Sequence, residues 1–414
     1  MNTTRRLRSA ALLIALLLCL PAIPAFAETP PAFFIETIDV RNVRRASPQV
    51  VRSESLLREG QAYTEQQLQD AQSRIRRLPF VLDVEFSLEK GSRRDAYVLV
   101  MKVDEAAPFF VGVQHFLTPA HDGRPSSNST TADVGTRWFV GDYGQLHATV
   151  GGNFDGGPKS VVLGYTQYNL LRRSIFFSAS VATGLGDGYQ GFSGSSLLGV
   201  PLRGNHSLRV HLDTYHSDND EHSFGSEGGN LGLSWLYDTT NDALFPTAGT
   251  TLVAGVDRGR SETHGIVFIG PEPGPLPGET REFTIDSTSL QLTGRRYWPV
   301  RELDAIVVEA RAGYSETSPG LGPSRESKGL SAMAAYSGSL WGLEKTRKHG
   351  DLRYEVGISG TRSSSQYDAI GAPEFTGEEL GLVAGLAHRN RWGLFRFTVA
   401  WTLASDYEPV MVLP

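Results

Sequence analysis

The residues best suited to chemistry are scattered along this 414-residue chain, and their spacing limits what they can do. His216-Ser-Asp-Asn-Asp-Glu-His222 gathers two imidazoles and three carboxylates, donors of the kind that suit a divalent ion. A solvated, charge-rich loop explains the same run more cheaply. Ser, His and Asp are plentiful, but no Gly-x-Ser-x-Gly elbow raises a nucleophile, and no His-Glu-x-x-His helix holds a metal. Gly184-x-Gly186-x-Gly188 is hairpin material rather than a phosphate cradle. The expectation is a protein that is not an enzyme and needs no cofactor or metal.

More is written in Asp238-Thr-Thr-Asn-Asp-Ala-Leu-Phe-Pro-Thr-Ala-Gly249, which separates two alternating strand patterns. Asp and Asn side chains accept backbone hydrogen bonds, Pro246 fixes φ, and Gly249 tolerates positive φ, so the segment reads as a structured turn.

What surrounds this turn is β-structure. From about residue 108 to 414 apolar and polar residues alternate in segments of about nine, the length of a tilted strand crossing a bilayer. Leu208, Val210 and Leu212 alternate with Arg209, His211 and Asp213, and Ile306, Val308 and Ala310 with Val307, Glu309 and Arg311. Leu352, Tyr354, Val356 and Ile358 alternate with Arg353, Glu355 and Gly357, and Phe395, Phe397, Val399 and Trp401 with Arg396, Thr398 and Thr402. One face is apolar and the other carries charge, as a barrel with a lipid-facing outside and a wet lumen requires. A soluble sandwich alternates too, so other signals decide. Connections alternate between short ones, near 141–143, 169–172, 200–205, 296–303, 341–349 and 389–393, and longer ones near 117–131, 183–191, 215–227, 258–282, 314–328 and 360–378. Trp138, Trp298, Trp341 and Trp392 lie at or beside the short ones and Trp235 beside the Asp238–Gly249 turn, an interfacial girdle. The expected fold is mainly β: a transmembrane antiparallel barrel of about sixteen strands, preceded by a small α+β domain. The last strand, about Tyr407 to Leu413, reads as short and proline-containing, either an easily opened seam or a frayed end.

That small domain spans residues 33–105. Phe33–Val40 reads as a strand, Ser47-Pro48 as a helix start, and Thr64-x-x-Gln67 as a capping box. Leu68, Ala71, Ile75 and Leu78 form one helical stripe that Pro79 stops. Two strands follow, carrying Val84, Phe86 and Leu88 and then Tyr97, Leu99, Met101 and Val103. The order is β-α-α-β-β. Arg74, Arg76 and Arg77 suit either an acidic client or, more cheaply, a solvated helix face.

Ahead of it, Arg5, Arg6 and Arg8, an apolar run from Ala10 to Leu20 and Ala25-Phe26-Ala27 read as a signal peptide over 1–27. Cleavage there removes Cys19, the only cysteine, and the three arginines, taking the net charge from −6 to −9. No basic stripe points to nucleic acid. Beyond residue 27 no apolar run is long enough for a helical span, which leaves a closed barrel as the way into a membrane.

The turn Phe245-Pro246-Thr247-Ala248-Gly249, with Asp238 and Asp242 ahead of it, resembles the Phe-Pro-Thr-x-Gly turn of the outer-membrane assembly-factor superfamily (BamA/TamA-like, bacterial surface antigen). The N-terminal pieces, Glu59-Gly60-x-x-Tyr63-Thr64 and Leu78-Pro79-Phe80-Val81-x-x-Val84, resemble a single POTRA domain. The resemblance implies a periplasmic POTRA and an outer-membrane barrel that inserts or assembles other barrel proteins. Its partners are then outer-membrane lipids, unfolded β-barrel clients that dock on the POTRA sheet edge and the barrel seam, and periplasmic accessory proteins. A two-partner-type secretion translocator and a passive channel are the alternatives. In the family a sixth outer loop folds into the lumen through a Val-Arg-Gly-Phe motif that meets an acid. Here Arg325-Glu-Ser-Lys-Gly-Leu330 keeps Lys328-Gly329, and Arg353-Tyr-Glu-Val-Gly357 offers Glu355 and Gly357. Either a Lys328–Glu355 contact pins the loop, without arginine's bidentate geometry, or the loop is shortened and unpinned.

Overall fold

A computed structural model of the chain describes residues 32–120, 126–137, 143–152, 159–171, 173–186, 189–202, 204–219, 224–266, 280–319, 324–341, 350–367 and 374–410. The expected signal peptide, Trp138, Gly188 and positions 220–222 of the His216 run lie outside these residues.

The N-terminal unit runs β1 (Ala32–Arg41), α1 (Pro48–Ser55), β2 (Gln61–Thr64), α2 (Glu65–Arg76), β3 (Val81–Lys90), β4 (Ala96–Glu105). Ser47 caps α1 by accepting from the Gln49 N–H with proline following. The Thr64–Gln67 capping box starts α2. Leu68, Ala71, Ile75 and Leu78 pack with Val50, Val51, Val84, Leu99, Met101 and Val103 into one core, so the 3.6-residue stripe of α2 meets the inward row of the sheet. The sheet order is β2-β1-β4-β3, with β1 parallel to β4. Strand β2 was not anticipated. Gly60, at φ 78°, turns the chain and its N–H donates to the Ile35 carbonyl at 2.7 Å. That seats Gln61–Thr64 against β1, a strand of four residues, too short to show alternation.

Among the described residues fifteen strands, from β5 (Phe109–Thr118) to β19 (Gly393–Val410), close into a barrel. About sixteen were expected. The difference lies at the end: β19 pairs with β18 (Glu374–Asn390) from Gly393 through Val410, and one bulge beside Leu380 is absorbed on the way. The separate strand expected at Tyr407 is therefore the continuation of β19. An odd count also forces the closing pair, β19 and β5, to be parallel while every other pair in the barrel is antiparallel.

The longer connections shrink for a related reason. Hairpins such as β11 (His206–Asn219) with β12 (Phe224–Asp238), and β13 (Gly249–Ile266) with β14 (Thr280–Arg301), continue their ladders through the stretches expected as loops. β14 reaches 22 residues, about twice what a bilayer crossing needs. Polar residues such as Arg258, Arg260, Glu262 and Asp286 do not end a strand whose neighbour goes on pairing. Outward-facing Leu208, Val210, Leu212, Leu233, Ile306, Val356, Ile358, Phe395 and Phe397 stay exposed, an apolar row on each of their strands. Trp235, Trp298, Trp341 and Trp392 sit at one rim, near the ends of β12 and β14, after β16 (Arg325–Ser339) and before β19. Among the described residues no helix is long and apolar enough to cross a membrane.

Candidate functional site at the barrel mouth

The dodecapeptide turn joins the eighth and ninth barrel strands, β12 and β13, at the rim that carries the tryptophans. Its own side chains build it. Asn241 accepts from the Thr247 N–H (3.0 Å) and Ala248 N–H (3.2 Å) and donates to the Thr247 hydroxyl (2.9 Å). Thr239 and Thr250 are bonded through backbone and hydroxyl. Asp242 accepts from the Leu244 N–H at 2.8 Å and the Phe245 N–H at 2.9 Å, an Asx-type turn. Gly249 closes it at φ 110°, where a Cβ would run into the Thr239 carbonyl oxygen.

Instead of projecting into solvent, the turn reaches across the mouth to strands that are not its neighbours. Arg389, near the end of β18, donates to both Asp242 oxygens at 2.8 Å. Phe245 is 7% exposed, with the Arg389 and Arg353 guanidinium carbons each 5.2 Å from its ring centroid, a double cation–π arrangement. Arg353, on β17 (Asp351–Tyr367), is itself held by Asp351 at 2.7 Å. Burial alone would push the Asp242 carboxyl up, but the Arg389 charge and the Phe245 and Leu244 N–H groups outweigh it and hold it below the usual range.

The other end of the turn holds the N-terminal unit. From the end of α2, Arg77 donates to the carbonyls of Asp238 (2.9 Å) and Thr240 (3.2 Å) and lies 2.9 Å from the Asp238 carboxylate. Arg74 reaches Asn205 at 3.0 Å. Ser174 donates to the Ser53 carbonyl and to Glu54. Phe80 meets Tyr143 with ring centroids 4.4 Å apart, and Tyr143 joins the core of the α/β unit. The arginines read as a solvated face thus include two that dock the unit on the barrel; Arg76 instead pairs with Asp83.

Glu309, 5% exposed, takes charged bonds from Arg295 and Arg311, and Tyr297, Val307, Ala335 and Met333 pack beside it. Across the barrel wall, the β5–β19 seam holds five residue pairs, Val113↔Phe395 to Leu117↔Val399, whereas β13 and β14 hold eighteen.

The expected motif residues separate into two groups. Asp238, Asp242, Phe245, Pro246, Thr247 and Gly249 all lie in the one ordered turn. Lys328 and Glu355 are not brought together. The stretch Arg325–Leu330 is part of β16, where Lys328 stands opposite Ser364 while Glu355 stands opposite Ser337, about 30 Å apart along the strand at ~3.3 Å per residue. Lys328 pairs with Glu326 at 3.2 Å and lies 5.9 Å from the Tyr314 ring centroid. Gly329 faces open space. Gly357 is tight: a Cβ there would lie 2.6 Å from that of Ala335. His216 and Asp218 sit on β11, 3.6 Å from Glu227 and 3.9 Å from His264, and among the described residues no cluster suits a metal ion. Sequence reasoning did not find Arg389, Arg353 or Glu309, since nothing local marks a strand arginine as the partner of a turn 147 positions away.

No protein-family profile matches the chain, and no curated protein does. Among solved structures it is similar to BamA from Haemophilus ducreyi lacking POTRA domains 1–3 (14% identity, 90% of this chain and 85% of that one, TM-score 0.42). It is also similar to CdiB from Acinetobacter baumannii (11% identity, 87% and 68%, TM-score 0.45) and to CdiB from Escherichia coli (12% identity, 98% and 96%, TM-score 0.41). The barrel itself is established by its strand pairing rather than by these likenesses.

Proposed function

We propose that this chain is a BamA/TamA-like outer-membrane barrel that inserts or assembles other β-barrel proteins, with its α/β unit a POTRA domain on the periplasmic side. The observation that carries the reading is the seam: five pairs close the barrel, so it is the weakest junction in a wall that otherwise has no edges. A client strand that replaces β5 or β19 contacts there regains backbone pairs in lipid, where unpaired groups are costly. Burial of client apolar surface supplies the free energy without nucleotide. The exposed belt of Leu, Val, Ile and Phe side chains supports membrane insertion. Strand β3, at the end of its sheet, offers an edge for an extended client.

Depletion of the protein followed by quantitative outer-membrane proteomics tests the reading. Loss of several unrelated barrel proteins is the expected result. Disappearance of one secreted protein with all barrels intact replaces it with a dedicated translocator. No change at all, with steady single-channel conductance, replaces it with a pore.

A further inference from the structure

Away from the α/β unit, the outward rows of β12, β13 and β14 change character together. Leu231, Leu233, Val256 and Leu290 are exposed apolar side chains, and register sets Val256 between Leu233 and Leu290. Side chains alternate across a strand, so Arg258 and Arg260 follow Val256 on this same face, roughly 7 Å apart along β13. Both are exposed. Arg258 stands between Leu231 and Thr288, and Arg260 between Gly229 and Asp286. Gly229 carries no side chain to fill the flank of Arg260, and Thr214 lies one strand further. Other cations of the outward face are answered by acids: Lys328 lies 3.2 Å from Glu326, and Arg362 lies 3.6 Å from Glu378. Arg258 and Arg260 make no ion pair among the described residues, although Asp286 stands opposite Arg260 and Glu262 follows two residues on. The apolar rows thus end on two guanidinium groups that carry uncompensated charge.

We propose that Arg258 and Arg260 bind the phosphate of a phosphomonoester-bearing lipid in the leaflet farther from the α/β unit, its acyl chains lying along Leu231, Leu233, Val256 and Leu290. Continuity between apolar rows and arginines favours a lipid over a free anion, because one molecule satisfies both surfaces. A phosphomonoester carries about 1.5 to 2 negative charges at pH 7, more than a diester, and two guanidinium groups match it. Arginine is weakly hydrated and its planar fork takes phosphate oxygens in pairs. The Thr288 hydroxyl is placed to donate beside Arg258. Asp286 works against the site from the Arg260 side, which makes Arg258, flanked by uncharged Leu231 and Thr288, the stronger contact. Which leaflet holds the lipid rests on the outer-membrane reading. Recognition of the phosphate does not, and it is measurable on the isolated protein.

The test titrates the full chain in detergent micelles with phosphatidic acid, a monoester, or phosphatidylglycerol, a diester, and reads occupancy of the first bound lipid by native mass spectrometry. Heat-modifiable gel migration reports that each barrel is folded. The parent chain is expected to bind phosphatidic acid more tightly by about threefold or more. Arg258→Gln with Arg260→Gln is expected to erase the preference, and Arg258→Lys with Arg260→Lys to keep part of it, since charge remains without the fork. Asp286→Asn is expected to strengthen it, and Lys328→Gln with Arg362→Gln to leave it unchanged. Equal binding of the two lipids by the parent, or a preference that survives in the glutamine pair, overturns the site. If that pair fails to fold, Arg258→Gln alone carries the same test. A preference lost equally in the Lys328 and Arg362 variant reports general surface charge and overturns the site as well. A preference that ammonium phosphate removes at constant ionic strength assigns the arginines to the free anion and overturns the lipid. A preference intact in a chain whose depletion spares every barrel protein keeps the site and removes the assembly function.

Discussion

At Gly249 the backbone sits at φ 110° and a side chain would meet the Thr239 carbonyl, so two penalties fall on one atom. Gly249→Ala is expected to cost about 2 kcal/mol or more, read as a lower urea midpoint for the folded, slow-migrating form. Asp242 acts through charge. Its carboxyl and the Arg389 guanidinium are only 12% and 23% exposed, and Asp242→Ala strands the arginine, at about 3 kcal/mol. The pH dependence follows from the direction of the shift. A carboxyl held below its ordinary range lends stability above the unfolded value of about 3.9 and loses it as pH falls through the lower folded value. The urea midpoint of the parent chain relative to Asp242→Asn is thus expected to be constant from about pH 8 to 5 and to shrink only in stronger acid. A difference that changes near neutrality means that Arg389 does not protect this group.

Between elements, the docking face carries the opposite sign. Burial pushes the Glu54 carboxyl of α1 above its ordinary range, against the Ser174 hydroxyl and the Arg77 and Arg74 charges that favour its ionised form. Docking stability is then complete below the unfolded value of about 4.3 and declines as pH rises through the raised folded value. Limited proteolysis of the 106–108 linker is expected to speed up over that window, and Glu54→Gln to abolish the pH dependence. An unchanged pH profile in the variant assigns the effect to another group. The elements themselves were mostly legible. Helix caps at Ser47 and Thr64 are local chemistry, as is the stripe of α2, and alternation identifies strands because side chains of a barrel wall see two solvents. The ends of strands were not legible. Whether Arg258 or Asp286 ends a strand depends on whether its neighbour keeps pairing, which no window of sequence contains. The turn was recognisable for the same local reason as the caps, whereas its partners Arg389 and Arg353 were set by the closure of the whole ring.

Over the whole molecule, stability is uneven around the circumference. Eighteen register pairs join β13 to β14 and five join β19 to β5, so local opening begins at the seam. Amide exchange in detergent or bilayer is expected to be fastest, among wall strands, for the N–H groups of 113–117 and 395–399, with 249–266 among the slowest. Uniform protection around the ring excludes a weak junction and with it the assembly reading.

Those five pairs also set an order of events during folding. They join residues some 282 positions apart, Val113 to Phe395, and ring closure over that length costs about 5 kcal/mol of chain entropy. The hairpins can form early because their contacts are close in sequence, but closure is a search. The bond from Asp242 to Arg389 shortens that search by drawing the last hairpin to the middle of the chain before its final partner arrives. A chain without that bond is expected to reach the same barrel slowly, with β19 the last strand to become protected.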